Sequence, residues 1–312
     1  MTRIIENIFA VAAVLTALSP IAPLAAAPVT LTFVASAGSD NNACTPMQPC
    51  ASLSKAVQNV ASGGQTTCLD PTGSAFGPIV FASPSYSLTI DCPGTIVPSS
   101  FGLALGSTNQ VFKIRNLTID GALASGGPAI EVTGSGTLIL ENCVLENLTG
   151  TALDIEPTGA LNLVITNSRI SNNAAGVVIK PASGGSVTAA FNGVTIAGNT
   201  GGGVKTDTTN GLVSVDISNS TITNNAGNGL NAVSGAGGAN ILNIHNSVIA
   251  RNGTAGVQAN GANAAALIDM TLLDSNASGA LATINGGRLL TYGNNRIVGS
   301  AGSGFTGPTP LQ

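Results

Sequence analysis

Apolar residues recur along this chain in rows that share one step. Ile114, Leu140, Ile165, Phe191, Ile217, Ile244 and Ile268 are separated by 26, 25, 26, 26, 27 and 24 residues. Most carry a second apolar residue two positions earlier, at Phe112, Leu138, Leu163, Ala189, Val215 and Leu242. That alternation predicts a strand with one buried face. Another strand is predicted to begin at Ile130, Leu153, Val177, Val204, Leu230, Val257 and Leu281. Polar positions keep the same step: Asn147, Asn173, Asn199, Asn225, Asn252 and Asn276 are 26, 26, 26, 27 and 24 residues apart. A second asparagine row, Asn116, Asn142, Asn167, Asn219 and Asn246, follows the isoleucine row by two residues. Gly193 fills this place in one coil, with Asn192 displaced by one, and Met270 fills it in the last. Asn and Gly share a tolerance for left-handed backbone angles, so this position is predicted to be a sharp turn.

A fixed period of this length marks a repeat architecture, in which each unit buries its apolar side against its neighbours. Each period has room for three short strands and three turns, with no helix between them. At about 3.3 Å per strand residue it closes one turn of a solenoid, and the next turn lies about 4.8 Å above. Stacked asparagines then bond to one another and to turn backbone, which satisfies amides that are costly to bury. The expected fold is all-β, a single parallel β-helix of about eight or nine coils over residues 77–300. An open solenoid needs capping. Leu53, Ala56, Val57 and Val60 have helical spacing and predict a short amphipathic capping helix within an N-terminal cap, 28–76. Residues 301–312 read as a tail folded over the last coil.

Composition narrows the function classes. The 312 residues include 40 Gly, 44% hydrophobic, 8% charged and 3% aromatic residues, with a net charge of -4. High hydrophobicity and low net charge exclude a disordered chain. Ten Lys plus Arg, spread without a basic run, argue against nucleic acid. Residues 1–27 read as an export signal: Arg3, an apolar stretch from Ile8 to Leu18, then small residues at Leu24-Ala25-Ala26-Ala27. Pro28 disfavours cleavage after Ala27, so a cut after Ala26 is preferred; a retained anchor is the alternative. The mature protein is then expected to be secreted or periplasmic in a bacterium, and not integral to the membrane. Five cysteines suit an exported chain. Cys44 and Cys50 are close enough to close a small loop, and Cys68 and Cys92, 24 residues apart, fall near one repeat and so could meet on adjacent coils. Cys143 is left over and reads as a buried small hydrophobe.

The unit N-S-x-I-x-x-N-x-x-x-G-V-x-I, as in Asn167 to Ile179, resembles the right-handed parallel β-helix repeat of the pectin-lyase-like superfamily over about residues 77–300. Ser39-Asp40-Asn41, Cys44, Pro49-Cys50 and Gly63-Gly64 also resemble the N-terminal region of secreted bacterial β-helix proteins of undetermined function. The resemblance implies a right-handed helix with its groove on the sheet begun by the Gly-Val strands. Two outward rows map there: Glu131, Asp154, Val178, Lys205, Asn231 and Gln258; and Thr133, Glu156, Lys180, Asp207, Val233 and Asn260. Charge in this sparsely charged chain gathers on them. The candidate groove is therefore Glu131, Asp154, Glu156, Lys180, Lys205 and Asp207. Glu131, Asp154 and Glu156 suit a calcium site or paired acid and nucleophile roles, and Lys180 or Lys205 suits an acidic sugar.

Departures from enzyme members set the functional expectation. The polygalacturonase-type Asn-Thr-Asp, Asp-Asp and Gly-His-Gly series is missing, as is a groove Arg of the pectate lyase kind. Trp is absent and only Tyr86 and Tyr292 are present, so aromatic sugar platforms are lacking. His245, the single histidine, stacks between Ser218 and Asp269, the order of a nucleophilic triad. A flat sheet, however, supplies no oxyanion hole, and alternate outward positions are expected to be polar. The reading is an exported solenoid presenting a noncatalytic surface for glycan or cell-envelope partners, with no cofactor required. The alternative is a polysaccharide lyase or glycoside hydrolase acting on a polysaccharide, whether acidic or not.

Overall fold

The computed structural model describes residues 29–70, 79–81, 87–97, 101–123, 127–235 and 238–308. The export signal expected over 1–27 lies outside them. The fold is an all-β parallel solenoid of about 8 turns with one short helix. One coil shows how each is built. The strand Thr151–Glu156 forms its front face, Ala160–Thr166 its broad face and Arg169–Ser171 its narrow face. Each strand pairs in parallel with its counterparts one coil away, so three faces run along the axis.

The apolar rows stack as the alternation predicts. On the broad face Ile114, Leu140, Ile165, Phe191, Ile217, Ile244 and Ile268 are consecutive partners, and all are buried. Each such side chain contributes about 1.5–3 kcal/mol on burial. Phe191, the largest of the row, has Ala189 as its inward neighbour where adjacent coils have Leu163 and Val215. The small residue offsets the large one, which keeps the tier at ordinary packing volume. On the front face, Ile130, Leu153, Val177, Val204, Leu230, Val257 and Leu281 are likewise in register.

The corner after the broad face is left-handed in every coil of the predicted row. Asn116, Asn142, Asn167, Gly193, Asn219, Asn246 and even Met270 have φ between 44° and 67°. Where Gly193 interrupts the row, the displaced Asn192 takes over its bond and accepts from Asn219 Nδ2 at 2.9 Å.

The asparagine row predicted from Asn147 to Asn276 is a buried ladder, with one correction to its membership. Asn173, Asn199, Asn225, Asn252 and Asn276 point inward and are buried. Asn199 Nδ2 donates to Asn225 Oδ1 at 2.8 Å, Asn225 Nδ2 to Asn252 Oδ1 at 3.0 Å, and Asn252 Nδ2 to Asn276 Oδ1 at 2.9 Å. Each Oδ1 also accepts the backbone N–H of the preceding coil's asparagine, as Asn225 does from Asn199. Asn147 does not belong to this ladder. Glu146 pairs with Ser171, so Asn147 stands beside Asn172, and both have φ 59°. Leu148 takes the ladder place instead, and its N–H donates to Asn173 Oδ1 at 3.0 Å. A second left-handed corner therefore runs through Asn147, Asn172, Gly198, Asn224, Arg251 and Ser275.

Cys143 lies in an inward row of hydroxyls. Ser168, Ser220, Ser247 and Thr271 each donate to the carbonyl two residues back, at 2.8, 2.7, 2.9 and 2.8 Å. Cys143 Sγ does the same toward Glu141 O at 3.5 Å, and also toward Ile114 O at 3.4 Å. Burial pushes its thiol up to about 11, which keeps it protonated and inert.

At the N-terminal end the helix Leu53–Asn59 is held by Ser52, whose Oγ accepts from Lys55 N at 3.1 Å. Leu53, Ala56 and Val57 are buried, while Val60 already starts the strand Val60–Cys68. That strand pairs in parallel with Val29–Val34 and Leu88–Val97, so stacking begins ahead of residue 77. Disulfides join Cys44 to Cys50 and Cys68 to Cys92, the second linking adjacent coils. At the other end, Ser303 N donates to Leu281 O and Thr306 N to Leu289 O, so the described part of the tail, residues 301–308, folds over the last coil.

Two outcomes follow for stability. Asn199→Ala is expected to cost about 1–3 kcal/mol, because it strips bonds from buried groups on both adjacent coils. Asn147→Ala should cost less than Asn199→Ala; urea midpoints that are equal for the two would contradict the corrected ladder. Cys143→Ser should stay within about 1 kcal/mol of wild type, since a hydroxyl makes the same bond. In the native protein the Cys143 thiol should resist a thiol reagent that labels it after denaturation.

Candidate functional site

The front face receives its outward residues from strands whose inward residues are fixed in the core. Glu131 pairs with Asp154, Asp154 with Val178, Val178 with Lys205, Lys205 with Asn231, and Asn231 with Gln258. In the second row Thr133 pairs with Glu156, and Asp207 with Val233 and then Asn260. Lys180 follows directly on Ile179 and is bound in place by its N–H to Ile155 O at 2.8 Å. All six charged candidates are thus brought onto one sheet. Glu131, Glu156, Lys180 and Lys205 are exposed, whereas Asp154 and Asp207 are half-buried.

The two half-buried carboxyls have opposite character. Burial raises Asp154 above the ordinary carboxylate range, Glu156 and Glu131 raise it further, and Lys180 only partly offsets them. Burial alone would raise Asp207 too. Hydrogen bonds from Thr209 and the nearby Lys205 outweigh it and hold Asp207 below its ordinary value. Asp207 Oδ1 accepts from Thr209 Oγ1 at 2.7 Å and Thr209 N at 3.1 Å, while Oδ2 lies 3.4 Å from Lys205 Nζ. Asp154 therefore holds a proton more readily than an ordinary aspartate, and Asp207 is a fixed anion. Thr209 was not among the predicted residues. The Asp207-Thr208-Thr209 order carries its signal, because Asp side chains cap the backbone N–H two residues on.

Glu131, Asp154 and Glu156 are coupled electrostatically, yet they are arms of a flat sheet rather than a cage. Among the described residues, no three His, Cys, Asp or Glu side chains converge closely enough to hold a metal ion. A calcium ion here would have to draw carboxylates together and complete its shell with water or ligand oxygens.

On the broad face Ser218, His245 and Asp269 are stacked in register as expected. They are not wired as a triad. Ser218 Oγ donates to Phe191 O at 3.4 Å, and Asp269 accepts from Asn294. No hydrogen bond joins the three among the described residues.

Beside the front face, the loops that carry the chain to the broad face border an open recess of about 360 Å³, lined by Gly184–Ser186, Thr209–Leu212 and Gly238. A second depression of about 340 Å³ lies on the broad face between Ile241, Ala265, Leu267, Arg288 and Leu290.

Among curated proteins, none matches this chain in sequence. In structure it resembles the crystal structure of pectate lyase Pel9A, with a TM-score of 0.56 and 15% identity over 90% of this chain and 78% of that one. At that identity the likeness is one of fold. The model of the family described as "Right handed beta helix region" matches residues 102–273, which is more than half of the chain and spans the coils just described. The chain belongs to the right-handed β-helix family.

Proposed function

We propose that this protein is an exported solenoid whose front face binds polysaccharide without cleaving it. The observation that carries the reading is the in-register alignment of Glu131, Asp154, Glu156, Lys180, Lys205 and Asp207 on one flat sheet. Such a surface offers a repeating ligand one set of polar contacts per coil, about every 4.8 Å. Most of these groups are committed to exposure or to each other. Lys205 lies against Asp207 and offsets its charge. Two disulfides in the N-terminal region suit an oxidising compartment.

A second reading has one observation in its favour. Asp154 holds its proton more tightly than an ordinary carboxyl, as a general acid must. With Glu156 or Glu131 as the second carboxyl, this face would serve a lyase or hydrolase acting on an acidic polysaccharide, with calcium or a lysine engaging the acid groups.

One screen separates the two. The purified mature protein is incubated with neutral, acidic and amino polysaccharides, with and without calcium, and scored for both binding and product. Binding without product is expected. The double variant Glu156→Gln, Lys180→Ala should weaken that binding by about tenfold. Product that disappears in Asp154→Asn would replace the binding reading with the enzymatic one.

The two aspartates also give opposite stability profiles. Asp154 is raised in the folded protein, so its contribution is fully present below the ordinary value of 3.8 and is lost as pH rises through the raised value. Asp154→Asn should therefore melt higher than wild type at pH 7, with the gap closing in acid. Asp207 is lowered, so its contribution is present above 3.8 and lost as pH falls through the lowered value. Asp207→Asn should melt lower at pH 7, with the gap again closing in acid. Thermal midpoints across pH check both signs.

A further inference from the structure

The recess beside the front face has the chemistry of a sugar site of its own. Its volume of about 360 Å³ is at the small end of ligand pockets, which run from about 300 to 1,000 Å³. That is room for one sugar ring with a little water. Two loops form most of it, Gly184–Ser186 on one coil and Thr209–Leu212 on the next. No ionisable side chain lines it. Ser186 brings a hydroxyl and Asn210 an amide, groups that both donate and accept, as sugar hydroxyls do, while the Thr209 hydroxyl, which donates to Asp207, is left as an acceptor. Leu212 is 52% exposed and supplies an apolar surface of the size a ring's C–H face covers.

The walls are rigid for reasons found in the coils. A Cβ at Gly211 would lie 2.5 Å from Gly185 O, and one at Gly185 would lie 2.1 Å from Pro157 O. These glycines let successive loops stack in contact, so the walls there are backbone. The Thr209 wall is tied to the charged sheet by Asp207, which accepts both the hydroxyl and the N–H of Thr209. Lys180 and Asp207 stand at the ends of the strands that lead into the two loops. The recess therefore adjoins the front face.

We infer that the recess is a subsite for one uncharged sugar unit, carried as a side branch by a polysaccharide whose main chain lies on the front face. The inference rests on the polysaccharide-binding reading of that face. A uronate or an amino sugar is disfavoured as the branch, because its charge would enter the recess without a counter-ion. The ligand class is thus a polysaccharide with neutral single-sugar branches.

The test uses the mature full chain and three kinds of probe. Methyl galactoside, methyl glucoside and methyl xyloside are examined by saturation-transfer NMR. Galactomannan is compared with linear mannan, and xyloglucan with a linear cello-oligosaccharide, by calorimetry. At least one glycoside should give a signal that is lost in Asn210→Trp, which fills the recess from an exposed position. In the corresponding pair the branched polymer should bind about tenfold tighter than the linear one. Asn210→Trp should remove that preference and leave linear binding within about twofold. Leu212→Ser, also at an exposed position, should reduce the preference through loss of the apolar surface. The front-face double variant Glu156→Gln, Lys180→Ala should weaken both polymers and leave the glycoside signal intact. Equal affinity within every pair, or a preference that survives Asn210→Trp, overturns the subsite. Glycoside binding with no polymer bound overturns the branch assignment through its premise, the front-face reading.

Discussion

Each coil of this molecule hydrogen-bonds to the next through its backbone, and at one corner of five successive coils a buried asparagine bonds both to the backbone and to the asparagine of the neighbouring coil. That interaction fixes the register of everything else. A parallel sheet has period two in its side chains, so a slip of one residue would turn the apolar row outward and the charged row inward. Asn173 through Asn276 oppose such a slip, because a displaced side-chain amide would be left unpaired in a dry interior. Ser168, Ser220, Ser247 and Thr271 provide a second inward bond at the adjacent corner. Cys143 ends this row as a weaker sulfur equivalent, which gives its burial a structural reason.

Much of this architecture is written in the spacing of side chains. The isoleucine row, the Gly-Val row and the left-handed corner at Asn116 to Met270 are each legible because they repeat one chemical property at one step. Asn147 shows where spacing fails. Asn172 and Asn173 are adjacent, one at a left-handed corner and one in the buried ladder, and coil length varies by a residue or two. Asparagine is favoured at both places, by backbone tolerance at one and by amide bonding at the other. Identity alone therefore does not tell which of the two Asn147 occupies. The buried pair Thr206 and Asn240 was equally hidden. Thr206 Oγ1 donates to Asn240 Oδ1 at 2.8 Å, and Asn240 Nδ2 donates to Val233 O at 2.8 Å. The pair closes one corner where a loop is longer, and loop closure leaves no periodic trace.

The same coordinate system puts the six charged residues on one face, as the strand register does, but it does not reveal the differences among them. Asp154 lies in the first outward row and Asp207 in the second, two coils on, and both are half-buried; their surroundings give them opposite character. Asp154 is held out of water and has carboxylates for neighbours, so it resists ionisation. Asp207 has Lys205 and Thr209, so it remains an anion and acts as a brace for the adjoining loop. The recess arises from the same cause. Glycines that look like ordinary turn residues are required by the contact distance between stacked loops, and the space beside them follows from three dimensions, not from any motif.

The central claim is that ligand lies on the front face, and carboxyl footprinting tests it most directly. The protein is labelled with a water-soluble carbodiimide and an amine, with and without the polysaccharide that binds it best. The account predicts that Glu131, Asp154 and Glu156 lose labelling in the complex while Asp216 and Asp269 on the broad face label unchanged. Protection of Asp216 and Asp269 with none at the front-face carboxyls would contradict it.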